Sequence, residues 1–255
     1  MSTAVENRVP HIVLLYWVIK IAATTLGETA ADMFSMTLEL GYSQTIAIFM
    51  ALFTASMVTK LVRGRYHPAL YWSTFTASAI AGTAISDFLD RTLELGYAGG
   101  SLLLVVLLIA VLVGWYRREG SIDVDHVTTA PAETLYWIAF LLANTLGTAA
   151  GDFLADDLQL GFVVSAALIA AALVALALLH SFTKAPRVVL FWLAFVLTRP
   201  FGATFGDLLT KPAAKGGLDF GTVGSSAVFA AILVVALLRE TQLERARTDE
   251  PQPTG

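Results

Sequence analysis

Glu28 and Asp32 stand one helical turn apart in LGETAADMF, within a stretch of about 24 residues that is otherwise apolar enough to cross a membrane. Stepping back by fours adds Thr24 and Lys20 to the same helix face. A charge placed in hydrocarbon costs about 2.5–3.5 kcal/mol even on the gentlest scale, so such groups face a bundle interior or an aqueous cavity. Paired carboxylates in that setting bind a cation or hold protons. Each raises the other's affinity for a proton, and burial does the same. Ligands that are all oxygen suit hard cations such as Mg²⁺, Ca²⁺ or Mn²⁺, while leaving Na⁺, protons and organic cations open.

The aspartate recurs. GETAAD, GTAISD, GTAAGD and GATFGD place Gly27, Gly82, Gly147 and Gly202 five residues before Asp32, Asp87, Asp152 and Asp207. Ten residues before each glycine is a tryptophan, in Tyr16-Trp17, Tyr71-Trp72, Tyr136-Trp137 and Phe191-Trp192. A turn signature follows each aspartate: LELGY at 38–42 and 93–97, LQLGF at 158–162, and a longer variant with GLDFG at 217–221. Four matches in one register define four tandem units. The tryptophans are 55, 65 and 55 residues apart, which predicts two halves joined by the 117–130 loop.

Hydrophobic residues make up 56% of the 255-residue chain and charged residues 14%, well outside ordinary soluble composition and inside the membrane class. Eight stretches have the length of a span, at roughly 11–34, 43–62, 68–90, 97–116, 131–154, 161–180, 187–209 and 221–239. The expected fold is therefore all-α: a polytopic membrane domain over residues 1–240, with eight transmembrane helices as four parallel two-helix repeats, about 11–66, 67–118, 131–185 and 186–240. A polar tail, 241–255, should be frayed or disordered beyond its first turns. Eleven Lys and Arg fall on the side of the termini and three on the other, which places both termini in the cytoplasm. No cleavable signal peptide is evident in MSTAVENRVP.

Comparison across repeats separates shared residues from additions. Glu28 is replaced by Thr83, Thr148 and Ala203; Lys20 by Phe75, Phe140 and Phe195; Arg199 by Thr24, Ala79 and Asn144. Added charges deep in a span are the strongest functional candidates. Thus Glu28, Asp32, Asp87, Asp152, Asp207, Thr83, Asn144 and Thr148 are expected to bind the ion. Lys20 and Arg199 would couple charge, and Glu28 with Asp32 is the candidate metal pair. The opposing reading is structural. Each aspartate could bond the loop backbone and close its turn, and the added charges could form an internal ion pair. The four glycines either let helices approach closely or mark broken helices, with Pro200 beside Gly202 the best candidate for a break. The tryptophans either form an interfacial belt or pack between repeats.

The chain has no cysteine, and its four histidines (His11, His67, His126 and His180) lie near expected helix ends without metal-ligand spacing. No nucleophile–base pair, zinc motif or phosphate loop is present, so an enzyme is not expected, nor a cofactor or a nucleic-acid partner. The expected function is cation transport, with a divalent metal favoured and proton coupling or export as options. The alternatives are a channel with a four-aspartate ring and a non-transport scaffold or sensor. Expected partners are the lipid bilayer and a small cation or proton; oligomeric state stays open.

Through the four Trp and G-x-x-x-x-D units, residues 10–240 resemble a bacterial inner-membrane family of unassigned function. That family is built from four tandem two-helix repeats, each with a tryptophan. The resemblance implies the architecture and an inner-membrane setting, not a substrate. The acidic motif is also similar to the Glu-x-Gly-Asp signature of cation exporters, but GETAAD lacks the adjacent Gly-Asp.

Overall fold

The computed structural model describes residues 8–10, 12–124 and 127–249. His11, His126 and positions 250–255 of the expected tail lie outside the described residues. Eight α-helices are present among those described: α1 (Leu14–Asp32), α2 (Gly41–Arg63), α3 (Pro68–Asp87), α4 (Gly96–Glu119), α5 (Ala130–Asp152), α6 (Gly161–Phe182), α7 (Arg187–Thr210) and α8 (Thr222–Asp249). Six of them are long and apolar enough to cross a membrane: α2, α4, α5, α6, α7 and α8. The expectation of eight such spans is corrected at α1 and α3. Polar and charged residues interrupt their apolar runs, among them Lys20, Thr24, Thr25, Glu28 and Asp32 in α1 and Thr74, Ser78, Thr83 and Ser86 in α3. The expected tail begins as ordered helix, since α8 continues to Asp249.

The polar odd-numbered helices form a closed inner ring, in the order α1, α3, α5, α7 and back to α1. The even-numbered helices lie outside it and expose apolar side chains such as Leu52, Leu102, Val163 and Val235. Each outer helix packs most extensively against the inner helix of the next repeat: α2 on α3, α4 on α5, α6 on α7, and α8 on α1. The last repeat thus docks on the first as each repeat docks on its successor. The ring is as continuous between α3 and α5 as elsewhere, so the longer middle connection does not divide the bundle into four-helix halves.

The repeat motifs account for this arrangement. In each turn the residue two before the signature glycine (Glu39, Glu94, Gln159, Asp219) and that glycine itself (Gly41, Gly96, Gly161, Gly221) have left-handed backbone. Glycine meets no steric cost there. Backbone bonds close the first three turns, from Leu38 N to Met33 O, Leu93 N to Phe88 O and Leu158 N to Phe153 O. Among the described residues no turn backbone N–H donates to an aspartate side chain, which corrects the turn-anchor reading of Asp32, Asp87, Asp152 and Asp207.

The motif glycines set the spacing of the inner ring. A Cβ on Gly27 would lie 2.6 Å from Ala79 Cβ, one on Gly82 3.0 Å from Asn144 Cβ, and one on Gly202 2.6 Å from Thr24 Oγ1. A Cβ on Gly147 would run into Cβ and Cγ of Arg199. Each glycine therefore faces the position three residues before the glycine of the next repeat, around the whole ring. Packing is their role. At Pro200, the candidate for a break, α7 runs through without interruption. The tryptophans also pack: Trp72 and Trp137 are fully buried, and Trp192 Nε1 donates to Ile122 O at 3.0 Å.

Gly147→Ala is expected to cost about 1–3 kcal/mol, because the Arg199 stem cannot retreat from the axis. Gly99→Ala, on α4 with open space around it, should be neutral or stabilise by up to about 1 kcal/mol through helix propensity. Unfolding of the two variants in detergent checks the order; equal stabilities would contradict the packing argument.

A candidate cation site at the carboxylate end of the ring

Equivalent positions of the four inner helices form successive layers along the ring axis. At the tryptophan end are Tyr16, Tyr71, Tyr136 and Phe191, with the Tyr71 and Tyr136 hydroxyls 2.5 Å apart. The next layer is Lys20 with Phe75, Phe140 and Phe195. Its ring centroids are 4.6 Å apart for Phe75–Phe140 and 4.5 Å for Phe140–Phe195. Lys20 Nζ lies 3.5 Å from the Phe195 centroid, 5.1 Å from Phe75 and 5.2 Å from Phe140, and takes part in no hydrogen bond among the described residues. It shares a helix face with Glu28 but sits eight residues away in an aromatic layer, so it does not reach the carboxylates.

Arg199 dominates the third layer. From α7 its guanidinium crosses to α1 and α3. It donates to Thr24 O at 3.3 Å, to Glu28 Oε2 at 3.2 and 3.3 Å, to Ala79 O at 3.4 Å and to Thr83 Oγ1. Thr83 Oγ1 in turn lies 3.1 Å from Glu28 Oε2 and 3.4 Å from Thr148 Oγ1. Arg199 and Glu28 are buried, so this is the internal pair that the added charges allowed. Every described donor to Glu28 goes to Oε2. Asn144 stays outside the cluster and donates to Ser78 Oγ at 2.9 Å.

The aspartates end the α-helical part of α1, α3 and α5 and lie one turn before the end of α7. Carboxylates buried this close together call for compensating cations. Two residues supply them, each four positions beyond an aspartate. Lys211 Nζ is 2.6 Å from Asp32 Oδ2 and 3.1 Å from Asp207 Oδ1. Arg91 Nη2 is 3.4 Å from Asp87 Oδ1 and 3.9 Å from Asp152 Oδ2. Each cation joins the aspartate of its own repeat to that of the next. Burial works against the charge on Lys211, but Asp207 and Asp32 more than offset it and hold the ammonium above the ordinary lysine range.

One oxygen from each of Glu28, Asp32 and Asp207 lies within 4.8 Å of the other two, and all three residues are buried. Oxygens on opposite sides of one Ca²⁺-sized ion are separated by roughly 4.6–5.2 Å. The structure thus joins Asp207 to the Glu28–Asp32 pair, whereas Asp87 and Asp152 form a second pair under Arg91. Lys211 and Arg91 were not legible as site residues, because basic residues just past a span read as loop charges that set orientation. Their offset of four from Asp207 and Asp87 was the available signal. Gly206 lies outside the repeated motif and carries no signal of its own; a Cβ there would lie 2.9 Å from Glu28 Cβ, so it admits the glutamate to the axis.

Removing one member of the buried pair should expose its cost. Arg199→Met is expected to destabilise the protein by about 3–5 kcal/mol, since it strands the Glu28 carboxylate. Glu28→Gln combined with Arg199→Met should recover some of that loss. A double variant no more stable than Arg199→Met alone would argue against the pairing; unfolding in detergent provides the measurement.

Neither the curated proteins nor the solved structures include a match to this chain. The family model for the Repeat of Unknown Function (DUF347) matches residues 15–66, 70–121, 135–185 and 190–246. These four matches follow the four repeats and take in most of the sequence, and the chain belongs to the DUF347 repeat family.

Proposed function

We propose that the protein is a membrane carrier for a small cation, with a divalent ion favoured. It would bind the ion through Glu28, Asp32 and Asp207 in a bacterial inner membrane with both termini cytoplasmic. The observation that carries this reading is the convergence of three buried carboxylates from opposite ends of the chain to within 4.8 Å. Ring closure, with α7 against α1, is what makes that convergence possible. With Arg199 on Glu28 and Lys211 on Asp32 and Asp207, the three carboxylates have a surplus of one negative charge if all ionise, which becomes two, the charge of one divalent cation, when Lys211 is displaced. Hard oxygen donors and the absence of cysteine support the same class of ion.

A carrier fits the axis better than an open four-fold pore. The Phe75, Phe140 and Phe195 rings and the Arg199 side chain fill the path beyond the carboxylates. Passage then requires rearrangement of the inner helices, and saturable flux without unitary currents is the expected behaviour. Carboxylates can take up protons in place of a metal ion, so exchange of the cation for protons is the form of coupling this site would support.

Reconstituted protein should show saturable uptake of Mn²⁺ into liposomes. Asp32→Asn and Glu28→Gln should each reduce that flux at least tenfold while the protein stays folded by size exclusion and tryptophan fluorescence. Undiminished flux in both variants would overturn the assignment of the site.

A further inference from the structure

The two aspartate pairs at the carboxylate end are bridged by different cations, held in different ways. Arg91 sits in the short turn after α3. Besides its two aspartates it donates to Tyr42 OH at 3.2 Å and Tyr97 OH at 3.4 Å. A guanidinium has five donors in a rigid fork and keeps its charge, so it is a fixed counter-ion. Lys211 is a single ammonium on a flexible stem, and its contacts are Asp32 and Asp207 alone among the described polar side chains.

The turn that carries Lys211 is the one that departs from the repeat. Its extra residues include a 3₁₀ turn, Ala213–Lys215, and fold back onto the end of α7. Leu218 N donates to Leu208 O at 2.7 Å, Phe220 N to Leu209 O at 2.9 Å, and Asp219 N to Lys211 O at 3.1 Å. Gly217 rests directly against the Lys211 backbone, where any side chain would collide. The longer turn therefore fixes the Lys211 backbone and leaves its side chain to span the two carboxylates. The lysine side chain is 19% exposed, against 4% for Asp32 and 5% for Asp207, so the ammonium lies on the solvent side of the acids.

The carboxylates beneath it retain free ligand capacity. Asp207 Oδ1 is buried, and its one described partner is the Lys211 ammonium, 3.1 Å away. At Glu28 the hydrogen bonds from Arg199 and Thr83 go to Oε2. A buried carboxylate oxygen whose one described partner is the ammonium of a flexible, partly exposed side chain becomes open to another cation once that side chain moves away.

We propose that Lys211 is a tethered stand-in for the transported cation: its ammonium occupies the Glu28–Asp32–Asp207 site at rest and swings outward when a divalent cation enters. Arg91 fills the corresponding position of the other half permanently, so each chain loads one ion. The proposal rests on the carrier reading of the same carboxylates and adds what holds the site when no ion is bound. It also accounts for the unequal turns, since only the half that must release its counter-ion carries the lysine.

Equilibrium titration of detergent-solubilised full-length protein with Mn²⁺, read by the electron paramagnetic resonance of free Mn²⁺, tests this. Wild type should bind one Mn²⁺ per chain. Lys211→Met should bind the same number at least tenfold more tightly, because the competitor is gone. Lys211→Arg, which keeps the charge and folds under the gentlest change, should bind at least tenfold more weakly. A folded Lys211→Met protein with unchanged or weaker affinity overturns the stand-in role and leaves the carrier reading intact. Tighter binding by Lys211→Arg does the same should Lys211→Met fail to fold. Absence of Mn²⁺ binding in wild type and in both variants overturns the carrier reading together with the proposal.

Discussion

The Arg199 guanidinium crosses the axis of the inner ring from α7 to α1 and α3. Its stem fits only because residue 147 has no side chain, and its head reaches Glu28, Thr24 O, Ala79 O and Thr83 on two other helices. One residue of α7 thus touches the other three inner helices. A buried ion pair is seldom a large source of net stability, since desolvation offsets attraction. What the pair does here is fix position. Glu28 Oε2 is pinned one turn below the aspartates, and the carboxylate can turn neither toward lipid nor toward the aromatic layer. The carboxylate cluster lies above that pair, and the aromatic layer fills the axis below it.

Four-fold repetition and its violations divide the work. The shared residues build the frame: glycines set the helix spacing, turn signatures reverse the chain, and tryptophans fill the far end. The departures make it chemically asymmetric. Glu28 stands where the others have Thr or Ala, Arg199 where they have Thr, Ala or Asn, and Lys211 opens a turn lengthened in one repeat. A symmetric ring of aspartates would treat four positions alike. These substitutions draw Asp32 and Asp207 toward Glu28 and leave Asp87 and Asp152 beneath Arg91.

The repeat units, their helices and the register of the carboxylates are legible in the sequence because they depend on spacing alone. So is the importance of Glu28 and Arg199, which break a pattern. Contacts between repeats are less legible. Nothing in a two-helix unit says that its second helix will pack on its neighbour's first, and that choice decides which aspartates meet. Lys211 and Arg91 were hidden for another reason. A basic residue just past a span serves both as an orientation signal and as a counter-ion, and only its helical offset from an acid separates the two. Lys20 misled in the opposite way. Its helix face matches that of Glu28, yet its three counterparts are phenylalanines, and they form the layer that encloses it.

The central claim is that Glu28, Asp32 and Asp207 share one cation. Anomalous scattering at the manganese edge, from crystals of the protein grown with Mn²⁺, addresses it most directly. The account predicts a single anomalous peak per chain among the three carboxylates, with the Lys211 side chain turned away from Asp32 and Asp207. Ordered carboxylates with no peak between them, or a peak beneath Arg91 instead, would contradict it.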